Sequence, residues 1–346
     1  MSRTLRSSIL TVLCVALPTA LAHAEGSFSD VPPSHPAYAA VEYLKGIGVV
    51  QGYSDGTFRP NQSVKRAEAV KLIVAPLVST ETLTGATGNA FGDIAADAWF
   101  RPYVEVARGQ MGIVDGPPKA TVFHGERTVT LVEFLKMFLT AQRAKIDVFS
   151  DVPLPLARDV MNPQEWYFPY MRAALAYTMV TVDTSGNLSP ARQLTRADVA
   201  KLTYYFMMYR DSRRTQAALG LTETEIVNTL NSLEALDTTG AELASARALV
   251  AARGAMNIRG TETIVQAALK TAQSFRSLVR GYRAGQEGNL EETLRLAGEA
   301  WQLAEDAKQV EPSLASVSEQ VQGLAKSLAD SARATQAAGT SSAAAQ

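Results

Sequence analysis

Apolar residues recur at helical spacing along this chain, but in two different settings. Before residue 211 they come in short runs broken by proline, glycine and aromatic positions, as in Ala67, Val70, Val74 and Leu77. After residue 211 the runs lengthen, and of the fifteen prolines only Pro312 remains. The pattern predicts a mainly α chain in two parts, with short helices and turns first and longer helices afterwards.

Three apolar stripes dominate the second part. They run through Val265, Ala268, Ala272, Phe275, Val279 and Tyr282; Leu290, Leu294, Ala297, Trp301 and Ala304; and Leu314, Val317, Val321, Leu324 and Leu328. Thr222 and Glu225 also form a capping-box pattern ahead of Ile226. Helix breaks are expected near Gly240, Gly260, Gly288-Asn289 and Pro312. We therefore expect about five helices over 211–335, packed as an antiparallel bundle or hairpin array, and a disordered tail over 336–346.

The first part repeats itself. A Phe-x-Asp-Val or Phe-x-Asp-Ile signature occurs three times, at 28–31, 91–94 and 149–152. Each copy leads into an aromatic-headed helix, a turn and a closing helix with an acidic residue in its first turn. Such a period indicates a supersecondary unit that cannot bury its apolar face alone. The copies are predicted to occupy 25–85, 86–145 and 146–210, each as helix, loop and helix.

The N-terminus has the pattern of a secretory signal peptide. Arg3 and Arg6 precede an apolar run from Ile9 to Leu21, and Ala22-His23-Ala24 is a small-x-small cleavage site. Cleavage of residues 1–24 would remove the single cysteine and leave 31 basic against 34 acidic residues. This balance excludes a broad basic surface for nucleic acid, and no second segment is apolar enough to span a membrane.

The order of motifs resembles the S-layer homology domain of bacterial envelope proteins. The family pattern has a Phe-x-Asp-Val opening, a Gly-x-Phe-x-Pro loop and a closing Thr-Arg-Ala-Glu helix. The first copy matches nearly throughout, with "FSDV", "GTFRP" and "KRAE", although Lys65 replaces the threonine. The third copy matches in "FSDV" and "TRAD", with extra residues around "LARDVMNPQE". The second copy is the weakest, because Leu131 stands where the arginine is expected.

This resemblance implies what the first part binds. Three such repeats form a pseudo-threefold bundle whose grooves hold an anionic cell-wall polysaccharide, often one with a pyruvate ketal. By position, the family's contacts fall on the closing-helix arginines, the opening aspartates and the groove tryptophans, namely Arg66, Arg196, Asp30, Asp93, Asp151, Trp99 and Trp166. Because Leu131 replaces one arginine, at most two competent grooves are expected.

The two arginines are also unusual on physical grounds. Thr130 with Glu133 and Thr195 with Asp198 are capping boxes, and Glu68 suits the same role. A cation in the first turn of a helix is unfavourable by about 0.3–1 kcal/mol. An external anion, bound by the helix N–H groups and by the guanidinium of Arg66 or Arg196, would explain the placement. The alternative is a solvated arginine on a helix surface.

The remaining candidates have structural alternatives. Asp30, Asp93 and Asp151 suit a cap on the following turn as well as a ligand contact. Trp99 and Trp166 suit either a core position or a platform for a sugar ring. After leader removal the histidines are isolated and no cysteine remains, so neither a metal site nor a cofactor is predicted.

The function expected from the sequence is non-enzymatic. An exported protein would hold the cell wall or S-layer through the repeats, on the cell surface or facing the periplasm if the host has an outer membrane. It would display 211–335 as a spacer or as a surface for a protein partner. A wall-anchored hydrolase is the alternative, although no catalytic constellation is recognisable. A structural protein whose repeats have lost ligand binding is a third reading.

Overall fold

The computed structural model describes residues 26–88, 91–114, 121–152 and 154–344. Across these ranges the chain is mainly α, as predicted, and its only β pairing consists of isolated bridges. The predicted signal peptide, residues 1–24, lies outside the described residues.

The first part contains three helix pairs and one short extra helix. The helices are α1 Tyr38–Gly46, α2 Arg66–Val74, α3 Thr80–Thr84, α4 Arg101–Gly109, α5 Leu131–Ala141, α6 Phe168–Ala176 and α7 Arg196–Arg210. We call α1–α2, α4–α5 and α6–α7 the first, second and third units. The predicted capping boxes are confirmed: the backbone N–H groups of Lys65, Thr130 and Thr195 donate to the acid three residues later.

A ring of backbone hydrogen bonds joins the three units. The N–H of Val64 donates to the carbonyl of Leu194 at 2.9 Å, Leu194 donates to Val129 at 3.0 Å, and Val129 donates back to Val64 at 2.9 Å. Each of these residues lies just before a closing helix and is buried. The ring satisfies backbone groups that would otherwise be stranded in the core, so the first and third units close directly on each other.

The closing helices extend this exchange. The first two N–H groups of α2 donate to the loop carbonyls of Arg127 and Gly125 in the second unit. Those of α5 donate to the third unit, and those of α7 donate to Gln62 and Pro60 in the first unit. A helix N-terminus leaves its first N–H groups without intrahelical partners, and here the neighbouring unit supplies them. Each unit therefore completes the next around the ring.

The second part is a hairpin array in which each helix packs against the next. Its helices are α8 Thr215–Glu234, α9 Thr238–Arg259, α10 Thr263–Gln286, α11 Leu290–Val310 and α12 Ala315–Ala344. Asp237 caps α9 and Asn289 caps α11, so the first break falls at 235–237 and Gly240 lies inside a helix. Four residues of the α10 stripe are buried and two, Ala268 and Tyr282, are partly buried. Trp301 is 44% exposed because α11 turns its Ala297–Ala300–Ala304 face inward.

Two local expectations for this half are not met. Thr222 does not begin a helix: α8 starts seven residues earlier, and the Thr222 hydroxyl donates to the carbonyl of Ala218 at 2.8 Å. The final helix continues to Ala344, past residue 336 where a disordered tail was expected. Several alanines in this segment favour the helix.

The two halves are packed firmly together through α6 and α9. Gly254 of α9 lies so close to Ala176 of α6 that a Cβ there would be 2.0 Å from the Ala176 carbonyl oxygen. The Tyr209 hydroxyl donates to the Gly254 carbonyl at 2.7 Å. Burial raises the pKa of this tyrosine, so it stays protonated as a donor. The helical half is therefore seated on the third unit.

A buried ion pair lies at the same contact between the helical half and the third unit. Arg247 of α9 makes two hydrogen bonds, each 2.8 Å long, to the carboxylate of Glu225 in α8. Its third donor reaches the carbonyl of Leu156 in the third unit at 3.0 Å. Both charged side chains are more than 90% buried. One guanidinium thus links α8 and α9 to the third unit.

Candidate functional site: the grooves between the units

A groove of about 570 Å³ lies between the first and second units. We call it the first groove. Its walls are the turn after α1, the outer face of α2 and the start of α4, and one residue comes from the third unit. The lining includes Gln51, Lys71, Trp99, Tyr103 and Arg196. Aromatic faces, an ammonium and a guanidinium thus share one open depression.

Both candidate tryptophans lie on the surface. Trp99 is 52% exposed and Trp166 is 53% exposed, so neither is a core residue. The Lys71 ammonium sits 5.5 Å from the centroid of the Trp99 ring, and Lys136 sits 5.7 Å from Trp166. Each lysine comes from a closing helix and each tryptophan from the next unit. By the repeat of this pair, we assign the surface around Lys136 and Trp166 as a second groove, equivalent to the first.

Arg196 has a structural role as well as a place in the first groove. Its guanidinium donates from Nε to the carbonyl of Phe58 at 2.7 Å and from Nη2 to that of Gln51 at 3.1 Å. The same guanidinium lies 4.6 Å from the centroid of the Phe58 ring. These contacts hold the first unit's loop against the third unit, and they fix the cation at the groove wall.

Arg66, at the start of α2, is the repeat equivalent of Arg196 and is assigned by that position to the second groove. Its guanidinium lies 3.6 Å from the Glu133 carboxylate and 5.1 Å from the centroid of the Phe123 ring. Burial opposes ionisation of Glu133, but bonds from Arg127 and Thr130 and the charge of Arg66 outweigh it and lower its pKa. Glu133 therefore stays ionised and helps to hold Arg66.

One part of the expected anion mechanism is wrong. The first-turn N–H groups of α2 and α7 donate to carbonyls of the neighbouring unit, so they are not open to an external anion. In α7 the next N–H, from Asp198, donates to the Thr195 hydroxyl at 3.2 Å. Any anion in these grooves would meet the side-chain cations and not the helix N-terminus.

The opening aspartates brace the loops of their own units. The Asp30 carboxylate accepts from the N–H groups of Phe58 and Arg59, each at 2.7 Å. Asp93 does the same for Phe123 and His124, at 2.7 and 2.8 Å. Burial opposes ionisation of Asp93, but these amide bonds prevail and lower its pKa. Neither predicted reading, a helix cap or a ligand contact, describes this long-range role.

In the third unit this position belongs to Asp159, not to Asp151. Asp159 accepts from the N–H groups of Leu188 and Ser189 at 2.9 and 2.8 Å. The braced residue in each unit has a left-handed backbone, with φ of 59° at Arg59, 56° at His124 and 53° at Ser189. Such a conformation is costly for a residue with a side chain, and the carboxylate stabilises it by fixing two adjacent amides.

Asp151 faces the helical half instead. Its carboxylate pairs with the guanidinium of Arg253 in α9, and the next residue, Val152, accepts a hydrogen bond from the buried Arg172. The third "FSDV" signature therefore lies in an inserted segment that contacts α9. The braced amide follows its aspartate by 28, 30 and 29 residues in the three units when Asp159 is used. This spacing is the sequence signal that identifies the correct residue.

Comparison with known proteins agrees with this geometry. The family model of the S-layer homology domain matches residues 27–70 and 161–200, which cover most of the first unit and of the third. The chain contains S-layer homology domains. The model match does not include the second unit, whose membership rests on the equivalent contacts around Asp93 and remains a prediction.

Several curated surface proteins are similar to part of this chain. S-layer protein EA1 of Bacillus anthracis is 24% identical over 200 residues, 58% of this chain and 22% of that protein. The surface-layer 125 kDa protein of Lysinibacillus sphaericus is 28% identical over 47% of this chain and 13% of its own length. Outer membrane protein SlpA of Thermus thermophilus is 41% identical over 22% of this chain and 8% of its own. The chain thus matches less than a quarter of the length of each.

A third groove lies along α7 and the loops of the third unit and differs from the first groove in its chemistry. Leu131 lines it where the first groove has Arg196, while Lys201 keeps the lysine position and Arg192 adds a cation from the loop. The residue two places before α1 is Pro36, whereas the same place before α4 and α6 is a tryptophan. The sequence predicted a defect from Leu131 alone, whereas the structure shows that the tryptophan position is also changed.

The groove lysines were missed by the sequence analysis. Lys71, Lys136 and Lys201 each follow the capping acid of a closing helix by three residues. This regular placement could have identified them, since three equivalent lysines on one face of repeated S-layer homology helices must line equivalent surfaces.

Two further findings concern the described residues only. None of their helices is long and apolar enough to cross a membrane. They also contain no cluster of three or more histidine, cysteine or acidic side chains suited to a metal ion.

Separate substitutions of Asp159 and Asp151 should show which of the two aspartates stabilises the loop of the third unit. Asp159→Asn removes the charge that fixes the left-handed Ser189, and we expect the free energy of unfolding to fall by about 1–3 kcal/mol. Asp151→Asn only weakens a half-exposed ion pair and should cost under about 1 kcal/mol. Urea unfolding of both variants measures the difference. A larger loss for Asp151→Asn would contradict the assignment.

Proposed function

We propose that this protein is a cell-surface protein held non-covalently to an anionic cell-wall polysaccharide, which binds in the first and second grooves. The observation that carries the proposal is the repeated pair of an exposed tryptophan with a lysine over its ring, joined in the first groove by Arg196 on the wall. The matched family and the S-layer relatives support the same role.

The chemistry of this pair suits an acidic sugar. A half-exposed indole offers an apolar face to the C–H groups of a sugar ring. Lys71 and Lys136 are anchored beside these faces and offer ammonium donors to a carboxylate. A pyruvate ketal carries a carboxylate directly on a ring, so it would satisfy both features at once.

Two grooves on one rigid bundle also favour attachment to a polymer. When one groove is occupied, the other meets neighbouring sugars at a high effective concentration. Modest affinity in each groove would then give lasting attachment to the wall. The helical half would be carried as a spacer or as a surface for a protein partner, without enzymatic activity.

Sedimentation with cell-wall sacculi tests the proposal. The purified chain with Lys71→Ala and Lys136→Ala should lose most of its binding, and so should Trp99→Ala with Trp166→Ala. Lys71 and both tryptophans are exposed and Lys136 is partly exposed, so their loss should leave folding intact. The matched control is Lys201→Ala, at the same helix position in the third groove, which lacks the closing-helix arginine and the tryptophan. It should bind like the unmodified chain.

The result against the proposal is equally clear. Binding that survives both double variants, or that persists after the acidic polymers are stripped from the sacculi, would place attachment elsewhere. Arg196→Ala is a poor probe, because it would also release the carbonyls of Phe58 and Gln51. Far-UV circular dichroism of every variant checks that the helices remain folded.

A further inference from the structure

A large cavity shares Thr181, Val182 and Asp183 with the third groove and no lining residue with the first groove. It has a volume of about 670 Å³ and lies where the helical half meets the third unit. One wall is the loop 181–186 of the third unit with Arg158, and the other is formed by α8 and α9. Ligand pockets have volumes of about 300–1,000 Å³ and often lie between domains. We call this cavity the junction cleft.

The two walls of the junction cleft are fixed to each other. Arg158 of the third unit forms an ion pair with Asp237, the cap of α9, at 2.9 Å. Below it, Arg247 joins the Glu225 carboxylate to the carbonyl of Leu156. The walls are thus held in place before any ligand arrives, which limits the entropy lost on binding.

Four of the five charged side chains of the junction cleft are paired with each other. Glu225 pairs with Arg247 and Asp237 pairs with Arg158. The fifth, the exposed Asp183, accepts from the N–H groups of Ser185 and Asn187 through one carboxylate oxygen, at 2.8 and 3.0 Å. The cleft therefore offers an anion no open cation, and with four of its charges already paired it favours an uncharged ligand.

The remaining lining combines hydroxyl and amide groups with small apolar surfaces. The polar side chains include Thr181, Thr224, Asn228 and Asn231, which offer both donors and acceptors. The apolar part comes from Val182, Leu221 and Leu243. A sugar has the same alternation, since its hydroxyl groups lie around the ring edge and its C–H groups on the ring faces. Neither the proposed wall anchor nor the S-layer homology match accounts for this surface.

We infer that the junction cleft binds an uncharged saccharide at a site independent of the wall-binding grooves. The cleft differs from those grooves in chemistry, because both of its arginines are paired with carboxylates and no aromatic side chain of the described residues lines it. The inference does not rest on the proposed function: the cleft can bind its sugar whether or not the grooves hold a wall polymer.

Isothermal titration calorimetry of the full chain tests this inference. The probes are cellobiose and N,N′-diacetylchitobiose, with glucuronic acid and glucosamine as charged comparisons. All titrations use the Trp99→Ala, Trp166→Ala background, which removes the groove platforms. Asn231→Trp places a bulky ring in the cleft from an exposed position, and Gln216→Trp is the control on the same helix outside the cleft.

We expect at least one neutral disaccharide to bind, binding to be abolished by Asn231→Trp, and binding to be kept by Gln216→Trp. Tighter binding of a charged sugar than of the neutral probes would overturn the ligand class. Binding that survives Asn231→Trp would overturn the location, and no binding by either disaccharide would overturn the inference itself. Loss of sacculus binding in the background variant concerns the grooves alone, so the two proposals fail separately.

Discussion

Replacement of Glu225 by alanine should lower the free energy of unfolding by about 3–5 kcal/mol. The change leaves the Arg247 guanidinium more than 90% buried without its carboxylate partner. It also removes the acceptor of Asn228, at 3.2 Å. An unpaired buried charge is among the most destabilising defects a single substitution can produce. Urea unfolding followed by circular dichroism measures the loss.

A double variant tests whether the loss of stability comes from the unpaired charge of Arg247. Glu225→Leu combined with Arg247→Met removes both charges and fills the space with apolar groups. It should be clearly more stable than Glu225→Ala, because no buried charge is left alone. A double variant as unstable as the single one would mean that the Arg247 bond to the Leu156 carbonyl, and not the ion pair, holds the seat together.

Gly254→Ala should lower the free energy of unfolding by about 1–3 kcal/mol, the usual range for an overpacked core. Alanine is the better helix former by about 1 kcal/mol, so propensity alone predicts the opposite sign. The new Cβ would lie 2.0 Å from the Ala176 carbonyl oxygen, a backbone atom that cannot move aside without shifting α6. The Tyr209 hydroxyl bond would be disturbed as well.

Gly298→Ala is the matched control. Gly298 also lies inside a helix, but a Cβ there meets nothing within 4 Å. This variant should be neutral or stabilised by up to about 1 kcal/mol, and thermal unfolding of both proteins gives the comparison. If Gly254→Ala were as stable as Gly298→Ala, the close seat of α9 on α6 would be refuted.

Local patterns predicted most of the helices and their caps correctly. A capping acid and its N-cap residue lie within one turn, so Thr195 and Asp198 can be recognised without any tertiary contact. The three-copy signature likewise predicted the repeated helix pairs. Family resemblance supplied the groove arginines and tryptophans, and the structure places both tryptophans on the surface.

The predictions failed where contacts between residues far apart in the sequence decide the structure. Asp151 matches the opening signature better than Asp159, but only Asp159 lies at the distance along the chain that reaches the braced loop. Glu225 sits in a capping-box pattern, yet Arg247, from the next helix, makes it a buried ion-pair partner. The first-turn N–H groups looked available because the sequence does not reveal which carbonyls of the neighbouring unit they meet.

Because the ring joins the first unit to the third, a chain that emerges N-terminus first completes its first groove late. Gln51, Lys71 and Trp99 emerge well before Arg196, which completes the wall of the first groove. The backbone bond from Val64 to Leu194 is equally delayed. Under the proposed wall attachment, the first groove would therefore remain incomplete, and unable to bind, until the third unit had emerged and closed the ring.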